Sequence, residues 1–121
     1  MIGIGIDAVD VDRFRRALAR SPGLEGRLFT SGEQADGRRS RDAAPRLAAR
    51  FAAKEATMKA LGVGLGAFGF HDVEVRTAPS GAPSLAVSGA AAALATRLGV
   101  SGFRVSLTHT DHLAGAVVAA L

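Results

Sequence analysis

The 121-residue sequence contains no cysteine, no tryptophan and no tyrosine, and only two of its fifteen basic residues are lysines. The absence of cysteine excludes disulfide bonds and thiolate metal sites. Phenylalanine is the only aromatic residue type, so the platforms on which single-stranded nucleic acid stacks are scarce. No apolar run reaches the roughly 18 residues that a membrane-spanning helix requires. Neither nucleic-acid binding nor membrane insertion is therefore expected.

The size and charge of the chain restrict its organisation and its ligands. The length predicts one domain over residues 1–121. Residues 1–7 have no charged leader and reach an acid early, so a signal peptide is not expected and a cytoplasmic location is. The formal net charge of +4 suits a phosphate-bearing ligand or an acidic protein partner. A chain this small buries a limited fraction of its surface, which favours a ligand site shared between subunits.

The first part of the sequence predicts one strand followed by two helices. Alternating glycine and isoleucine over residues 2–6 predict a buried strand that ends at Asp7 and is closely approached by other backbone. Apolar residues at helical spacing over residues 10–20 predict an amphipathic helix with a basic stripe on another face. Thr30 and Glu33 match a capping box, which predicts the start of a short second helix.

The remaining sequence predicts a long central helix and four further strands. The long helix is expected over residues 45–61 and stops at Gly62. Strands are expected over residues 72–76, 84–87, 103–107 and 113–121, with an alanine-rich helix over residues 90–98. The last two strands are expected to pair as a hairpin. The predicted fold class is therefore α+β, with a mostly antiparallel sheet packed on the long helix.

The long helix carries both lysines of the chain. Glu55 and Lys59 are four residues apart and are therefore neighbours on one helix face. At about 100° per residue, Lys54 projects between the directions of Leu47 and Leu61, into the apolar side of the helix. A purely solvated helix face would not place a charge there. The alternative interpretation is a Glu–Lys pair beside a lysine that snorkels from the edge of the core.

Two further positions offer polar chemistry. Asp7 would either cap the first helix or bind a metal, and Asp10 competes for the capping role. Asp7 and Glu55 together would supply the one or two carboxylates by which Mg²⁺ is commonly held. The hydroxyl-rich turn at His109 is either an anion-binding turn or a solvated hairpin tip, and its spacing to His112 is only a weak zinc signal. This set of residues suits phosphoryl transfer.

Four segments, in this order along the chain, resemble the holo-acyl-carrier-protein synthase family of 4′-phosphopantetheinyl transferases. They are Gly3–Asp7, Phe29–Glu33, Arg50–Gly62 and Ser106–Thr110. The Phe-Ala-Ala-Lys-Glu-Ala run with Lys-Ala-Leu-Gly downstream is the most specific of them, and the resemblance covers essentially the whole chain. It implies the fold of that family. It also implies transfer of the phosphopantetheine arm of coenzyme A to a serine of an apo-acyl-carrier protein, with release of adenosine 3′,5′-bisphosphate.

The resemblance also implies roles for single residues. Asp7 and Glu55 would hold Mg²⁺, with Mn²⁺ as the alternative metal. As a hypothesis about the mechanism, Glu55 is the expected general base, acting either directly or through a metal-bound water. Lys59 would contact the coenzyme A diphosphate, and Lys54 would orient Glu55. The residues expected to bind coenzyme A are Arg50, Lys54, Lys59, Gly62, Gly64, Pro83, His109 and Thr110.

The first helix is expected to bind the carrier protein, because carrier proteins are acidic around the acceptor serine. Arg13 and Arg20 are the expected contacts, and Arg16 shares their stripe, although an ordinary solvated face would also account for it. The family further implies a homotrimer with sites between neighbouring subunits. One rival hypothesis is a non-catalytic nucleotide or carrier-protein binding module of the same fold, and the acid pair with Lys59 argues against it. The other is a basic nucleic-acid-binding domain, which the missing aromatic residues argue against.

Overall fold

The computed structural model describes all 121 residues. It contains five strands, five α-helices and a short 3₁₀ turn at Phe70–Asp72. The other elements run in the order β1 (Gly3–Asp10), α1 (Val11–Arg20), α2 (Leu24–Leu28), α3 (Ser31–Gly37), α4 (Ala44–Ala60), β2 (Val73–Thr77), β3 (Pro83–Val87), α5 (Gly89–Arg97), β4 (Phe103–His109) and β5 (Leu113–Ala120).

The strands form two sheets in which every pair is antiparallel. The larger sheet has three strands in the order β1-β5-β4, and the smaller sheet joins β2 to β3. The predicted α+β class with antiparallel pairing is therefore confirmed, and so is the hairpin between β4 and β5. The sheet is divided in two, a division that the sequence pattern alone does not show.

One face of the three-stranded sheet packs directly on α4. The inward residues of β5 are all buried, namely Ala114, Ala116, Val118 and Ala120. A Cβ atom added to Gly3 would lie 1.9 Å from the carbonyl oxygen of Ala60, and one added to Gly5 would lie 1.9 Å from that of Ala56. Only glycine allows a strand to approach a helix backbone this closely, so the predicted close approach is confirmed.

The opposite face of the same sheet is apolar and open. Side chains alternate along a strand, so the isoleucines of β1 point away from the face that its glycines present to α4. Ile4 is 61% exposed and Ile6 is 65% exposed, and Leu113 and Val117 of β5 are exposed on the same face. The prediction of a buried strand therefore holds for the face that β1 presents to α4, and it is wrong for the opposite face of the single chain.

The helix starts follow the local sequence. Asp10 caps α1, because its carboxylate accepts a hydrogen bond of 2.9 Å from the backbone N–H of Arg13. The capping box of Thr30 and Glu33 at the start of α3 is present as predicted.

β1 continues to Asp10, so Asp7 lies inside the strand and not at its end. The short helix α2 was not predicted, because five residues are too few to show a helical period.

The core is divided between two clusters on either side of α4. One lies between α4 and the three-stranded sheet, and the other lies between α4 and the helices that precede it. Phe14 of α1 contacts Phe29 edge-on at 6.1 Å between ring centroids and lies 5.5 Å from Phe51 of α4. α4 is thus the element that nearly every other part of the chain contacts. None of the helices combines the length and the apolar character that a membrane crossing needs.

Candidate active site

Two carboxylates meet where β1 crosses α4. Asp7 lies two residues beyond Gly5 and therefore shares its inward face. Gly5 touches the backbone at Ala56, so Asp7 lies against the preceding part of α4, beside Glu55. Both carboxylates line one cleft of about 360 Å³. The pairing that the sequence could only suggest is thus produced by the strand period and the glycine contact together.

The walls of this carboxylate cleft come from α1 and α4. Arg13 contributes a basic side chain, and Phe14, Ala17 and Phe51 contribute apolar surface. The cleft therefore joins Asp7 and Glu55 to the first turn of the basic helix, and the N-cap residue Asp10 lines it as a third acid. Arg13 is the one predicted carrier-protein contact that lies next to the carboxylates, because Arg20 lies exposed at the far end of α1.

The two carboxylates influence one another electrostatically. Burial, and then the negative charge of Asp7, raise the pKa of Glu55, while the Lys59 charge lowers it. A divalent cation between the two acids would relieve this repulsion. No group of three or more His, Cys, Asp or Glu residues that could hold a metal occurs in the structure. The donor set therefore fits Mg²⁺, which commonly takes one or two carboxylates and completes its shell with phosphate and water, and it gives no support to zinc.

Lys59 reaches the same acids from the next turn of α4. Its Nζ donates to the carbonyl oxygen of Ile6 at 2.9 Å and to Oδ1 of Asp7 at 3.2 Å. It makes no hydrogen bond to Glu55, although the two share a helix face. The Lys59 side chain is 54% exposed and that of Asp7 is 19% exposed. Lys59 thus lies at the rim of the site with room to move.

Lys54 is not part of this site. Its side chain is fully buried, and its Nζ donates to Oε1 of Glu33 at 2.8 Å and to the carbonyl oxygens of Phe70 and Val73. All three ammonium donors are used inside the protein. The expectations that Lys54 binds coenzyme A and orients Glu55 are therefore corrected, because its buried ammonium has no donor left for a ligand or for Glu55. The sequence argument was right only in directing Lys54 into the apolar side of α4.

Glu33 is the partner that sequence reasoning did not find. It is buried, and besides Lys54 it accepts hydrogen bonds from the backbone N–H groups of Thr30 and Val75. Burial lowers the pKa of Lys54, and the adjacent Glu33 charge offsets part of that effect. The capping box explained Glu33 completely at the sequence level, so nothing there indicated a second role.

A second cleft, of about 330 Å³, brings together three of the residues expected to bind coenzyme A. Arg50 of α4, Pro83 of β3 and His109 of β4 all line it, together with Ser106. These residues are widely separated in the sequence, and only the fold of β3 and β4 against α4 places them side by side. The grouping is the one that a binding site for the phosphate end of a nucleotide would need.

Arg50 is held in this second cleft by groups that the sequence did not single out. Its guanidinium is almost fully buried, pairs with the Asp36 carboxylate, and donates to Oγ1 of Thr77 at 3.1 Å and to the carbonyl oxygen of Arg46 at 3.2 Å. The Nε of Arg50 is buried and has no hydrogen-bond partner. No local pattern links Asp36 or Thr77 to Arg50, so only tertiary structure could reveal them.

Three other predicted coenzyme A residues line neither cleft. Gly62 and Gly64 lie exposed in the loop that follows α4, where Gly62 adopts a φ of 73° that favours glycine. Thr110 closes the β4–β5 turn, because its hydroxyl accepts from the backbone N–H groups of His112 and Leu113. The structure shows a conformational role for Gly62 and Thr110, and the contact of all three residues with a ligand stays a prediction.

Comparison with known proteins gives one consistent result. The profile of the 4′-phosphopantetheinyl transferase superfamily matches residues 3–118. A holo-[acyl-carrier-protein] synthase from Frankia casuarinae is 48% identical over 120 residues, which cover 99% of this chain and 97% of that protein.

Solved structures agree with the sequence comparison. The holo-[acyl-carrier-protein] synthase of Neisseria meningitidis superposes with a TM-score of 0.89 at 29% identity, covering 100% of this chain and 98% of that one. The Helicobacter pylori enzyme, solved in complex with coenzyme A, gives a TM-score of 0.86 at 28% identity, covering 98% of this chain and 99% of that one. The similarity therefore extends over the whole fold.

Proposed function

The chain belongs to the 4′-phosphopantetheinyl transferase superfamily, and from that premise we propose that it acts as a holo-[acyl-carrier-protein] synthase. It would transfer the 4′-phosphopantetheine arm of coenzyme A to a serine of an apo-acyl-carrier protein and release adenosine 3′,5′-bisphosphate. The observation that carries this proposal is the carboxylate cleft, in which Asp7 and Glu55 meet beside Lys59. The coenzyme A complex of a relative supports the choice of donor substrate.

The carboxylate cleft would serve the diphosphate of coenzyme A. Asp7 and Glu55 are the residues that would hold Mg²⁺, or Mn²⁺ as the alternative. Bound there, the cation would neutralise charge on the diphosphate as it develops on the leaving group. Lys59, exposed at the rim, has an ammonium donor available for a diphosphate oxygen. Without these positive charges, two carboxylates would repel a diphosphate.

Glu55 is the proposed general base. In the transfer step the serine hydroxyl loses its proton to Glu55 and its oxygen bonds to the phosphorus that bears the pantetheine arm. The bond from that phosphorus to the bridging oxygen breaks, and adenosine 3′,5′-bisphosphate leaves with the electron pair. In the metal-free protein, burial and the charge of Asp7 raise the pKa of Glu55, and a bound cation would oppose this rise.

The second cleft is proposed to hold the adenosine end of coenzyme A. Arg50 and His109 would bind its phosphate, and Pro83 would border the nucleotide. Arg50 already pairs with Asp36, so a bound phosphate would compete with that carboxylate for the guanidinium. Gly62, Gly64 and Thr110 are proposed as further contacts from the loops nearby.

The carrier protein is proposed to dock on α1. Arg13 and Arg20 are exposed along this helix and suit the acidic surface around an acceptor serine. Arg13 also lines the carboxylate cleft, so a carrier bound there would present its serine close to Glu55. Charge pairing of this kind mainly accelerates encounter and fixes the docking register.

The open face of the three-stranded sheet is proposed to be the homotrimer interface. Ile4, Ile6 and Leu113 are all more than half exposed on one continuous apolar surface, which is costly to leave in water. Burying it against neighbouring copies would also bring clefts of different subunits together. Ile6→Glu should convert the assembly to monomers in light scattering, whereas Thr96→Glu on the exposed surface of α5 should not. An unchanged trimer in Ile6→Glu would refute this interface.

The decisive experiment measures the mass of an apo-acyl-carrier protein after incubation with coenzyme A. A gain equal to the phosphopantetheine arm, seen only with Mg²⁺ or Mn²⁺, supports the transferase. Glu55→Gln should abolish the gain, and Glu25→Gln on α2 is the charge-matched control that should keep it. Coenzyme A binding without any mass gain would instead favour a non-catalytic binding module of the same fold.

The cellular setting follows from the same proposal. The enzyme would supply holo-carrier protein for fatty acid biosynthesis in the cytoplasm, as a single domain over residues 1–121. The superfamily match to residues 3–118 supports that organisation. A panel of apo-carriers from fatty acid and polyketide synthesis, compared by rate, would identify the carrier that is served.

A further inference from the structure

Lys59 and Asp7 contact each other although each is assigned a different ligand. Asp7 would hold the divalent cation, and Lys59 would contact the diphosphate. In the structure, however, Lys59 Nζ donates to Asp7 Oδ1 at 3.2 Å and is held in place by the carbonyl oxygen of Ile6 at 2.9 Å. Lys59 thus occupies one carboxylate oxygen of Asp7, which is the residue proposed to hold the cation.

We propose that Lys59 couples the two ligands, so that binding of the coenzyme diphosphate strengthens binding of the divalent cation and the reverse. This inference rests on the proposed function. Beyond that function, it assigns to Lys59 the effect that binding of the cation and binding of the diphosphate have on one another.

Before the diphosphate arrives, Lys59 weakens the cation site in two ways. Its ammonium occupies Oδ1 of Asp7, and its positive charge repels a second cation placed between Asp7 and Glu55. The carbonyl oxygen of Ile6 keeps the Lys59 ammonium beside Asp7. Without this hydrogen bond the side chain would extend into solvent. Without the diphosphate, a divalent cation must therefore either displace Lys59 from Asp7 or bind beside its positive charge.

Arrival of the diphosphate removes this opposition. The Lys59 side chain is 54% exposed and flexible, and one of its three ammonium donors has no partner in the protein. It can therefore turn towards the negative diphosphate and release Asp7. An equilibrium coupling of this kind is reciprocal, so the cation must favour diphosphate binding by the same factor.

The residue type at position 59 suits this role. A lysine ammonium is a compact charge on a flexible stem and can change partners by rotation alone. Lys54, five residues earlier on the same helix, could not do so, because its donors are all satisfied in the core. Of the two lysines, only Lys59 is therefore expected to contribute to the coupling.

The test is a titration of the intact protein with Mn²⁺, followed by calorimetry or electron paramagnetic resonance, with and without saturating coenzyme A. Without coenzyme A, Lys59→Met should bind Mn²⁺ about tenfold more tightly than the parent protein, within the usual range of coupling between sites. Coenzyme A should then raise Mn²⁺ affinity by a smaller factor in this variant than in the parent, because only the direct contact between cation and diphosphate remains. Lys59→Arg, which keeps the charge, should retain most of the coupling, and Arg97→Met on α5 is the charge-matched control.

The outcomes separate this inference from the proposed function. If Lys59→Met binds Mn²⁺ no more tightly and responds to coenzyme A as the parent does, the coupling role is overturned while the transferase proposal stands. If Asp7→Asn and Glu55→Gln leave Mn²⁺ binding unchanged, the cation does not bind at these carboxylates, and both proposals fail together.

Discussion

The two lysines of this chain lie five residues apart on one helix and occupy opposite surroundings. Lys54 is fully enclosed, and three acceptors, one each from α3, the 3₁₀ turn and the start of β2, take its three donors. Lys59 is half exposed, and two acceptors from β1 leave one donor free. The difference shows that a charged residue serves the fold when the protein satisfies it completely and remains available to a ligand when it does not.

The largest effect is expected when the buried pair is broken. Lys54→Met would leave the Glu33 carboxylate buried without its counter-charge, which typically costs about 3–5 kcal/mol in the free energy of unfolding. Urea denaturation monitored by circular dichroism would measure it. If the free energy of unfolding fell by less than about 1 kcal/mol, Lys54 would not be needed for the stability of the fold.

Replacing both members of the pair should recover part of that loss. In the double variant Lys54→Met with Glu33→Leu no uncompensated charge remains, and such apolar replacements are often well tolerated. The backbone N–H groups of Thr30 and Val75 would still lose their acceptor. We therefore expect a stability about 2 kcal/mol below the parent, near the low end of what two unsatisfied donors at about 1–3 kcal/mol each would cost, because the Thr30 N–H is only partly buried. A double variant no more stable than Lys54→Met alone would contradict this.

A smaller effect of opposite sign is expected at the carboxylate cleft. Burial and the charge of Asp7 raise the pKa of Glu55, so its ionised form destabilises the folded state. Stability from this group is fully present below its ordinary pKa of 4.5 and is lost as the pH rises through the raised value. Without metal at pH 7, Glu55→Gln should be more stable than the parent by less than about 1 kcal/mol, because solvent screens a half-exposed charge.

The pH dependence provides the control for that prediction. The difference in unfolding free energy between Glu55→Gln and the parent should shrink towards zero as the pH falls below 4.5. Denaturation curves at several pH values would show it. A difference that does not change with pH would assign the gain to packing and not to charge.

The smallest stability effect is expected at Lys59. Lys59→Met removes only an exposed ion pair, which typically contributes about 0–1 kcal/mol. Its transfer activity should nevertheless fall about 100-fold, the order seen when one donor to a developing charge is removed. Normal stability with lost activity in Lys59→Met would sharpen the contrast with Lys54→Met, in which a loss of stability is the main expected effect. Normal activity would remove Lys59 from the site.

The sequence predicted most of the secondary structure, because helical and alternating periods are local properties. It also directed Lys54 correctly into the apolar side of α4. It could not identify the partner of Lys54, since Glu33 lies 21 residues away and its capping role already explained it. Pairing of this kind depends on how α3 packs against α4, which no local pattern records.

The candidate site shows the same division. Residue chemistry and the family resemblance selected Asp7 and Glu55, and the glycines before Asp7 predicted a close backbone approach. Only the structure shows that Gly5 sets this approach and so places Asp7 against α4. Arg50 contacts Asp36 and Thr77, which belong to other elements. No pattern in the sequence indicated these contacts.

The strand order has a consequence for how the protein is made. β1 and β4 each pair with β5, so the middle strand of the larger sheet is the last one to leave the ribosome. Until β5 has been synthesised, β1 has no edge to join and Asp7 remains on an unpaired segment. A chain released before Leu113 would keep α4 and Glu55 but would lack the strand that pairs with β1. Catalytic competence should therefore appear only after β5 has joined the sheet.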